Sequence, residues 1–193
     1  MKILLLFSAF AVAVNAVQWS ELDFYNMLRR DFAKTNAIPD MWKLTWDKKL
    51  EVLANKFDCN DKAVRKNYRY FLTDGSPRNE SKIVDADTLN WMIETEKTNP
   101  AELTNTVKEW EKTTARFFEY VNNIQTKMAC GFPLPHCKRN FGIMGDIVYK
   151  RVCLFGPHTK LGFYPPVDQH SGKIPGSQCG PNGKNDDGLC VPK

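Results

Sequence analysis

Six cysteines constrain this chain more than any other feature of its sequence. If the chain matures in an oxidising compartment, an even number of cysteines indicates that all of them pair, and none remains as a reactive thiol or metal ligand. The fold must then bring distant segments together as three disulfides among six cysteines. These are Cys59, Cys130, Cys137, Cys153, Cys179 and Cys190.

The first sixteen residues have the features of a secretory signal peptide. Lys2 supplies a positive start, Ile3 to Val14 form an almost unbroken apolar run, and Val14-Asn15-Ala16 offers modest side chains for a signal peptidase. The apolar run is shorter than the about 20 residues that a membrane-spanning helix needs. We therefore expect residues 1–16 to be removed, no transmembrane segment to follow, and the protein to be secreted into the extracellular space.

The composition is that of a globular domain. Of the 193 residues, 42% are hydrophobic and 25% are charged, which excludes intrinsic disorder and fibrous repeats. The length suits one domain. A net charge of +5 does not by itself indicate nucleic-acid binding, and no recognition motif accompanies it. We expect no nucleic-acid partner.

Capping residues and hydrophobic periodicity predict helices in the first two thirds of the chain. One helix runs from Ser20 to about Lys34, and a second begins at Trp46-Asp47 and ends near Cys59. A weaker helical segment covers Thr88 to Lys97, and Asn99-Pro100 begins a further helix. The apolar stripe of the second helix consists of Leu50, Leu53, Ala54 and Phe57.

The last third of the chain indicates strands and turns. Lys127 to Phe132 and Ile143 to Phe155 predict a pair of antiparallel strands. Beyond Gly156, glycines and prolines predict turns that only Cys179 and Cys190 hold together. Helices followed by a small antiparallel sheet indicate the α+β class.

The order of these elements narrows the disulfide pairing. Cys130–Cys137 and Cys179–Cys190 each flank a short turn, so that both pairs can form locally. Cys59 at the end of the second helix is then expected to meet Cys153 on the last strand. The alternative joins Cys59 to Cys130 and Cys137 to Cys153, and both sets fit the predicted elements.

Five segments carry a resemblance to a known family. In chain order they are Tyr25-Asn26-Met27-Leu28-Arg29, Met41 to Ala54, Thr126 to Gly131, Val152 to Pro157 and Gly188-Leu189-Cys190. Their order and spacing resemble the CAP superfamily of cysteine-rich secretory proteins, antigen 5 and plant pathogenesis-related proteins. The resemblance implies an α-β-α sandwich with a small central antiparallel sheet. We expect a CAP-like SCP domain at 17–157 and a turn-rich C-terminal extension at 158–193 closed by a disulfide.

Members of this family often carry a cleft with two histidines and one or two glutamates, some of which bind zinc. The resemblance places the first histidine at Tyr25 and the second near Arg116, and a phenol or a guanidinium does not replace a neutral imidazole on zinc. The first histidine of the chain is His136. We expect the metal cleft to be lost, with no cofactor bound. Its candidate remnants are Tyr25, Asn26, Arg29 and Arg116, and we expect Asn26 and Arg29 to brace the helix rather than to catalyse.

Two surface features accompany the predicted domain. Asn79-Glu80-Ser81 is a sequon in a polar stretch, and we expect Asn79 to be glycosylated. Four basic residues are spaced to share one helical face, which could dock onto sulfated glycans or anionic lipid head groups. The alternative is a solvated surface. This basic face consists of Lys62, Arg65, Lys66 and Arg69.

The sequence thus predicts a secreted, non-enzymatic binding or interaction domain. Its extracellular ligand could be a lipid, a glycan or a protein receptor, bound at the altered cleft or in a groove between helices. The alternative is a secreted hydrolase with a carboxylate site. Glu109 and Glu111 are two apart on one helix and point to different sides, so they cannot form a dyad. The candidate carboxylates are Glu94, Glu96, Glu109 and Glu111.

Overall fold

The computed structural model describes residues 21–59, 67–73, 86–112, 118–132, 137–140, 146–162 and 172–193. The helices are α1 (21–35), α2 (Lys48–Asn55), α3 (Ala86–Thr98), α4 (Pro100–Lys112) and α5 (Phe118–Val121). The strands are β1 (Thr45–Trp46), β2 (Arg69–Thr73), β3 (Lys127–Gly131), β4 (Cys137–Asn140), β5 (Asp146–Tyr149), β6 (Arg151–Gly156), β7 (Gly183–Asp186) and β8 (Leu189–Pro192). Within these ranges, every helix is too short or too polar to cross a membrane.

Side-chain caps begin two of the predicted helices. The Oδ1 atom of Asp47 accepts hydrogen bonds from the backbone N–H groups of Lys49 and Leu50, which starts α2. The Oδ1 atom of Asn99 accepts from the backbone N–H of Glu102 at the start of α4. The four predicted helices are confirmed, although α2 ends at Asn55, earlier than expected.

The central sheet has four strands in the order β1-β3-β6-β2. Strand β6 lies between β3 and β2 and is antiparallel to both. The predicted antiparallel pair is confirmed for β3 and β6, but the predicted strand Ile143 to Phe155 is not one strand, because its earlier part, β5, pairs with β4 in a separate sheet. The two-residue strand β1 joins the edge in parallel with β3, so the sheet is mixed at that edge. Two separate hairpin sheets, β4-β5 and β7-β8, complete the described strands.

Helices cover both faces of the central sheet. Alternate side chains of a strand point to opposite faces, so Val152 and Leu154 of β6 pack in one cluster with α2, while Cys153 and Phe155 pack in another with α1 and α3–α5. These two layers around one sheet make an α-β-α sandwich. The α+β class predicted from the sequence is confirmed.

Two of the three predicted disulfides are wrong. Cys130 of β3 and Cys153 of β6 are directly opposed in the ladder, with their Cα atoms 4.0 Å apart, and they form a disulfide. Cys137 lies in the β4-β5 sheet and pairs with Cys59. The predicted Cys59–Cys153 and Cys130–Cys137 bridges therefore do not form, because the pairing of β3 with β6 places Cys130 opposite Cys153, and Cys59 bonds to Cys137. The alternative pairing is also wrong.

The third predicted disulfide, Cys179–Cys190, is present. The chain around it forms a β-hairpin rather than turns alone. Asp187 and Gly188 have φ angles of 49° and 89° and connect β7 to β8, as the two-residue hairpin turn requires. The backbone N–H of Cys190 donates to the carbonyl of Met41 at 2.7 Å, and Leu189 is fully buried in the core. The prediction that only Cys179 and Cys190 hold this segment is therefore wrong.

The prediction of a basic helical face is wrong for Arg69, the member of that face that the structure describes. Arg69 begins strand β2 rather than lying on a helix, and its side chain is buried. Its neighbours Tyr70, Phe71 and Leu72 pair with β6, so tertiary pairing overrides the helical spacing of the basic residues. Lys62, Arg65 and Lys66 lie outside the described residues.

Candidate functional site

Tyr25, where the sequence resemblance places the CAP family's first histidine, is a core residue. Its side chain on α1 is 3% exposed, and its ring lies 5.4 Å from that of Tyr120 and 5.8 Å from that of Phe155. The ring of Phe155 meets it edge-on, a favourable aromatic geometry. The hydroxyl donates a hydrogen bond to Sγ of Cys153 at 3.7 Å. Tyr25 therefore packs α1 onto the disulfide-bonded centre of the sheet.

Asn26 joins α1 to the segment before β1. Its Oδ1 atom accepts from the backbone N–H of Leu44 at 2.7 Å, and its Nδ2 donates to the carbonyl of the same residue at 3.0 Å. This reciprocal pair imitates a strand hydrogen-bond pair and is buried. The side-chain amide thus satisfies backbone groups that would otherwise be costly to bury.

Arg29 is fully buried and holds together two segments distant in sequence. Its guanidinium donates to backbone carbonyls of Trp42 and of the segment 120–125. Burial lowers the pKa of Arg29 to about 9. A guanidinium with this pKa is still charged at neutral pH, and the carbonyl oxygens around it offset the lost hydration. The acceptors are the carbonyls of Trp42 (2.8 Å), Tyr120 (2.6 Å), Asn122 (2.9 Å), Asn123 (3.4 Å) and Gln125 (3.1 Å).

Several predicted site residues lie outside the described residues. These are Arg116, the glycosylation candidate Asn79 and the signal peptide at 1–16. His158 lies after strand β6 and is exposed. Its backbone carbonyl accepts from Nε2 of Gln125 at 2.7 Å, and its backbone N–H donates to Oε1 of the same side chain at 3.1 Å.

Arg69 is a second buried arginine, and the sequence does not predict its structural role. The guanidinium of Arg69 donates to both carboxylate oxygens of Glu119, through Nε at 2.6 Å and Nη2 at 2.8 Å. Its remaining donors reach the carbonyls of Trp110, Glu111 and Thr159. The pair joins β2 to α4 and α5, and both side chains are almost completely buried. No local signal marks this pair, because its partners are 50 residues apart.

The candidate carboxylates are not brought together as an acid–base site. Glu109 forms an ion pair with Lys112 on the same helix. Glu111 accepts a hydrogen bond from the backbone N–H of Leu161 at 3.3 Å, and Glu94 is exposed on α3. Among the described residues, no group of three histidine, cysteine or acidic side chains is placed to hold a metal ion.

Comparison with known proteins finds structural likeness alone. No family model matches the chain, and neither does any curated protein. The crystal structure of hookworm platelet inhibitor is similar at 15% identity and a TM-score of 0.45, over 89% of this chain and 87% of that one. Venom allergen-like protein 4 of Schistosoma mansoni is similar at 16% identity and a TM-score of 0.43, over 79% and 97%.

A third similar structure is NaASP2, solved with Zn2+, at 18% identity and a TM-score of 0.46, over 88% of this chain and 92% of that one. The three are CAP superfamily proteins. With identities below 25% and TM-scores below 0.5, these likenesses do not indicate which ligand this chain binds or where its site lies.

Proposed function

We infer that this chain is a divergent member of the CAP superfamily and that it acts as a secreted, non-enzymatic interaction domain. The observation that carries the proposal is the use of Tyr25, Asn26 and Arg29 within the core. Each is buried, and the polar atoms of each are bonded to the backbone or to a disulfide. These cleft positions support the fold, and the outer surfaces are left to make contacts with a ligand.

The described residues at these positions do not fit a zinc ion. Zinc in proteins takes thiolate, imidazole or carboxylate ligands. Tyr25 instead offers a phenol enclosed by two aromatic rings. Arg29 lies one helical turn away, and its positive charge would repel a cation. We therefore propose that the family's metal cleft is lost and that the protein works without a cofactor.

The carboxylate hydrolase has no observation in its favour. Glu109 is neutralised by Lys112, and Glu111 is engaged with the backbone of Leu161. The binding role is therefore the better proposal, with an extracellular lipid, glycan or protein receptor as the ligand.

Secretion is supported by the apolar N-terminal run and by the disulfides, which persist in oxidising compartments. On this proposal, residues 1–16 are removed and Asn79 carries a glycan. The mature protein would thus reach the cell exterior as a disulfide-bonded glycoprotein.

Native mass spectrometry of the secreted protein, purified without chelator, tests the proposal. We expect the mass of residues 17–193 plus a glycan, with all six cysteines oxidised and no stoichiometric metal. The Asn79→Gln variant is the matched control and should lack the glycan mass alone. One zinc ion per chain, retained after buffer exchange, would contradict the proposal.

A further inference from the structure

The C-terminal segment is cross-linked only to itself. Residues 172–193 contain the hairpin β7-β8 and both cysteines of the Cys179–Cys190 disulfide. All six cysteines of the chain are paired, and the other two disulfides join positions within 21–162. No disulfide therefore links this segment to the rest of the protein. We call residues 172–193 the C-terminal strap.

The C-terminal strap completes the hydrophobic core. Leu189 is fully buried and belongs to the same core cluster as Ile38 and Met41. A Cβ on Gly183 would lie 2.9 Å from the indole ring of Trp42, so strand β7 packs directly on the segment before β1. Undocking the strap would return these apolar side chains to water, and the hydrophobic effect therefore favours the docked state.

Backbone pairing fixes the place where the C-terminal strap docks. The backbone N–H of Cys190 donates to the carbonyl of Met41 at 2.7 Å, and its carbonyl accepts from the N–H of Lys43 at 2.9 Å. Cys190 thereby forms a parallel β-bridge with Trp42, which lies between these two residues. The strap thus docks as a strand adds to a sheet edge, a mode in which main-chain hydrogen bonds supply affinity.

Opposite charges align the C-terminal strap with α1 and with the segment before β1. The carboxylate of Asp187 lies 2.7 Å from Nζ of Lys34 and 3.1 Å from Nε of Arg30. The carboxylate of Asp186 lies 2.9 Å from Nζ of Lys43. These side chains are partly exposed, and exposed ion pairs contribute little to stability. The buried apolar contacts and the backbone pairing therefore supply most of the affinity, and the charges set the orientation.

We propose that the C-terminal strap is a docked module that stays in place when the chain is cut just before Gly172. Its own disulfide restricts the conformations of the undocked strap, which lowers the entropy lost on docking. After such a cut, the protein persists as a non-covalent two-chain complex with its core intact. The strap then belongs to the CAP-like domain that the sequence predicts at 17–157. This inference concerns how the domain is closed and does not depend on the proposed ligand.

A site for a sequence-specific protease, inserted directly before Gly172, tests the C-terminal strap. A Cβ on Gly172 would meet no atom within 4 Å, so the insertion has room there. After cleavage without reductant or denaturant, gel filtration and native mass spectrometry should find the strap and the remaining chain together in equal amounts. Loss of the strap from the cut protein at micromolar concentration would overturn the proposal.

Substitutions at the docking surface separate the apolar contact from the charges. In the cut protein, Leu189→Ser should raise the dissociation constant of the strap at least about tenfold, because it removes a buried apolar side chain. Leu189→Ala should have an effect in the same direction, and it replaces the serine variant if that variant fails to fold. Lys34→Ala loses one exposed ion pair and should raise the constant by less than about fivefold.

Ile174→Ser is the matched control, because Ile174 belongs to the C-terminal strap but is 68% exposed. It should leave the dissociation constant unchanged. An equal increase in Ile174→Ser and Leu189→Ser would overturn the proposal, since release would then not depend on the buried contact. The metal content of the uncut protein tests the proposed function separately.

Discussion

The hydroxyl of Tyr25 donates a hydrogen bond to Sγ of Cys153, 3.7 Å away, and Cys153 is bonded to Cys130 on the neighbouring strand. The Tyr25 side chain is therefore tied to the disulfide at the centre of the sheet. Tyr25 thus contributes through packing, and we expect its replacement to lower the free energy of unfolding.

Two substitutions at Tyr25 separate the ring from its hydroxyl. Tyr25→Phe keeps the contacts with Tyr120 and Phe155 and should cost no more than about 1 kcal/mol of unfolding free energy. Tyr25→Ala removes the ring and should cost about 3–5 kcal/mol. Urea unfolding followed by fluorescence measures both, and an equal cost for the two variants would contradict the core role.

The buried pair of Arg69 and Glu119 should be sensitive to loss of one charge. Glu119→Gln leaves the guanidinium buried without its carboxylate, and we expect a loss of about 3–5 kcal/mol. Glu109→Gln is the control, because Glu109 is exposed and its ion pair with Lys112 should contribute less than about 1 kcal/mol. Urea midpoints compare the two variants. Equal midpoints would show that Arg69 does not depend on Glu119.

Local signals predicted the helices well and the strand partners poorly. The cap at Asp47 and the Asn99-Pro100 start are encoded within a few residues, and both helices form there. Strand β2 was missed because the basic spacing that ends at Arg69 suits a helix, whereas pairing with β6 decides its conformation. The Cys130–Cys153 disulfide follows from the pairing of β3 with β6, whose register no spacing along the chain reveals.

The C-terminal hairpin has a local sequence signal of its own. Asp187-Gly188 is a dipeptide typical of a two-residue hairpin turn, yet the segment was predicted as turns alone. For the site, the sequence indicated that Asn26 and Arg29 brace the helix, and both bond backbone groups. The number of carbonyls around Arg29 depends on how α1 packs against 118–125. The hydrophobic periodicity of the sequence does not predict that packing.

Peptide mapping should find the disulfides of the structure in the secreted protein. Non-reducing digestion is expected to release linked peptides containing Cys59–Cys137, Cys130–Cys153 and Cys179–Cys190. Blocking free thiols before digestion prevents exchange. A linked peptide joining Cys59 to Cys153, or Cys130 to Cys137, would contradict the strand pairing of β3 and β6.

Acid should loosen the β7-β8 hairpin from α1 and from the segment before β1. Hydrogen bonds from Lys43 and Lys34 lower the pKa values of Asp186 and Asp187, respectively, below their ordinary value of 3.8. Since the folded-state pKa is the lower one, this stabilisation is present above the ordinary value and is lost as the pH falls through the folded pKa. Amide protection factors in β8 should be constant from neutral pH to about pH 5 and fall below about pH 4.

The control for this acid effect is the double variant Asp186→Asn with Asp187→Asn. Its β8 amides should be less protected at neutral pH and should show no further loss in the acid range. Hydrogen exchange measured by NMR, corrected for intrinsic rates, gives both profiles. An unchanged acid profile in the variant would assign the loss to other groups.

The central claim is that Tyr25, Asn26 and Arg29 hold the fold together. Urea unfolding of Arg29→Lys tests it most directly, with Arg30→Lys as the neighbouring control, whose side chain is partly exposed and paired with Asp187. A lysine supplies fewer donors than the guanidinium and leaves carbonyls unsatisfied. We predict a loss of at least about 2 kcal/mol for Arg29→Lys and less than about 1 kcal/mol for Arg30→Lys. Wild-type stability in Arg29→Lys would contradict the account.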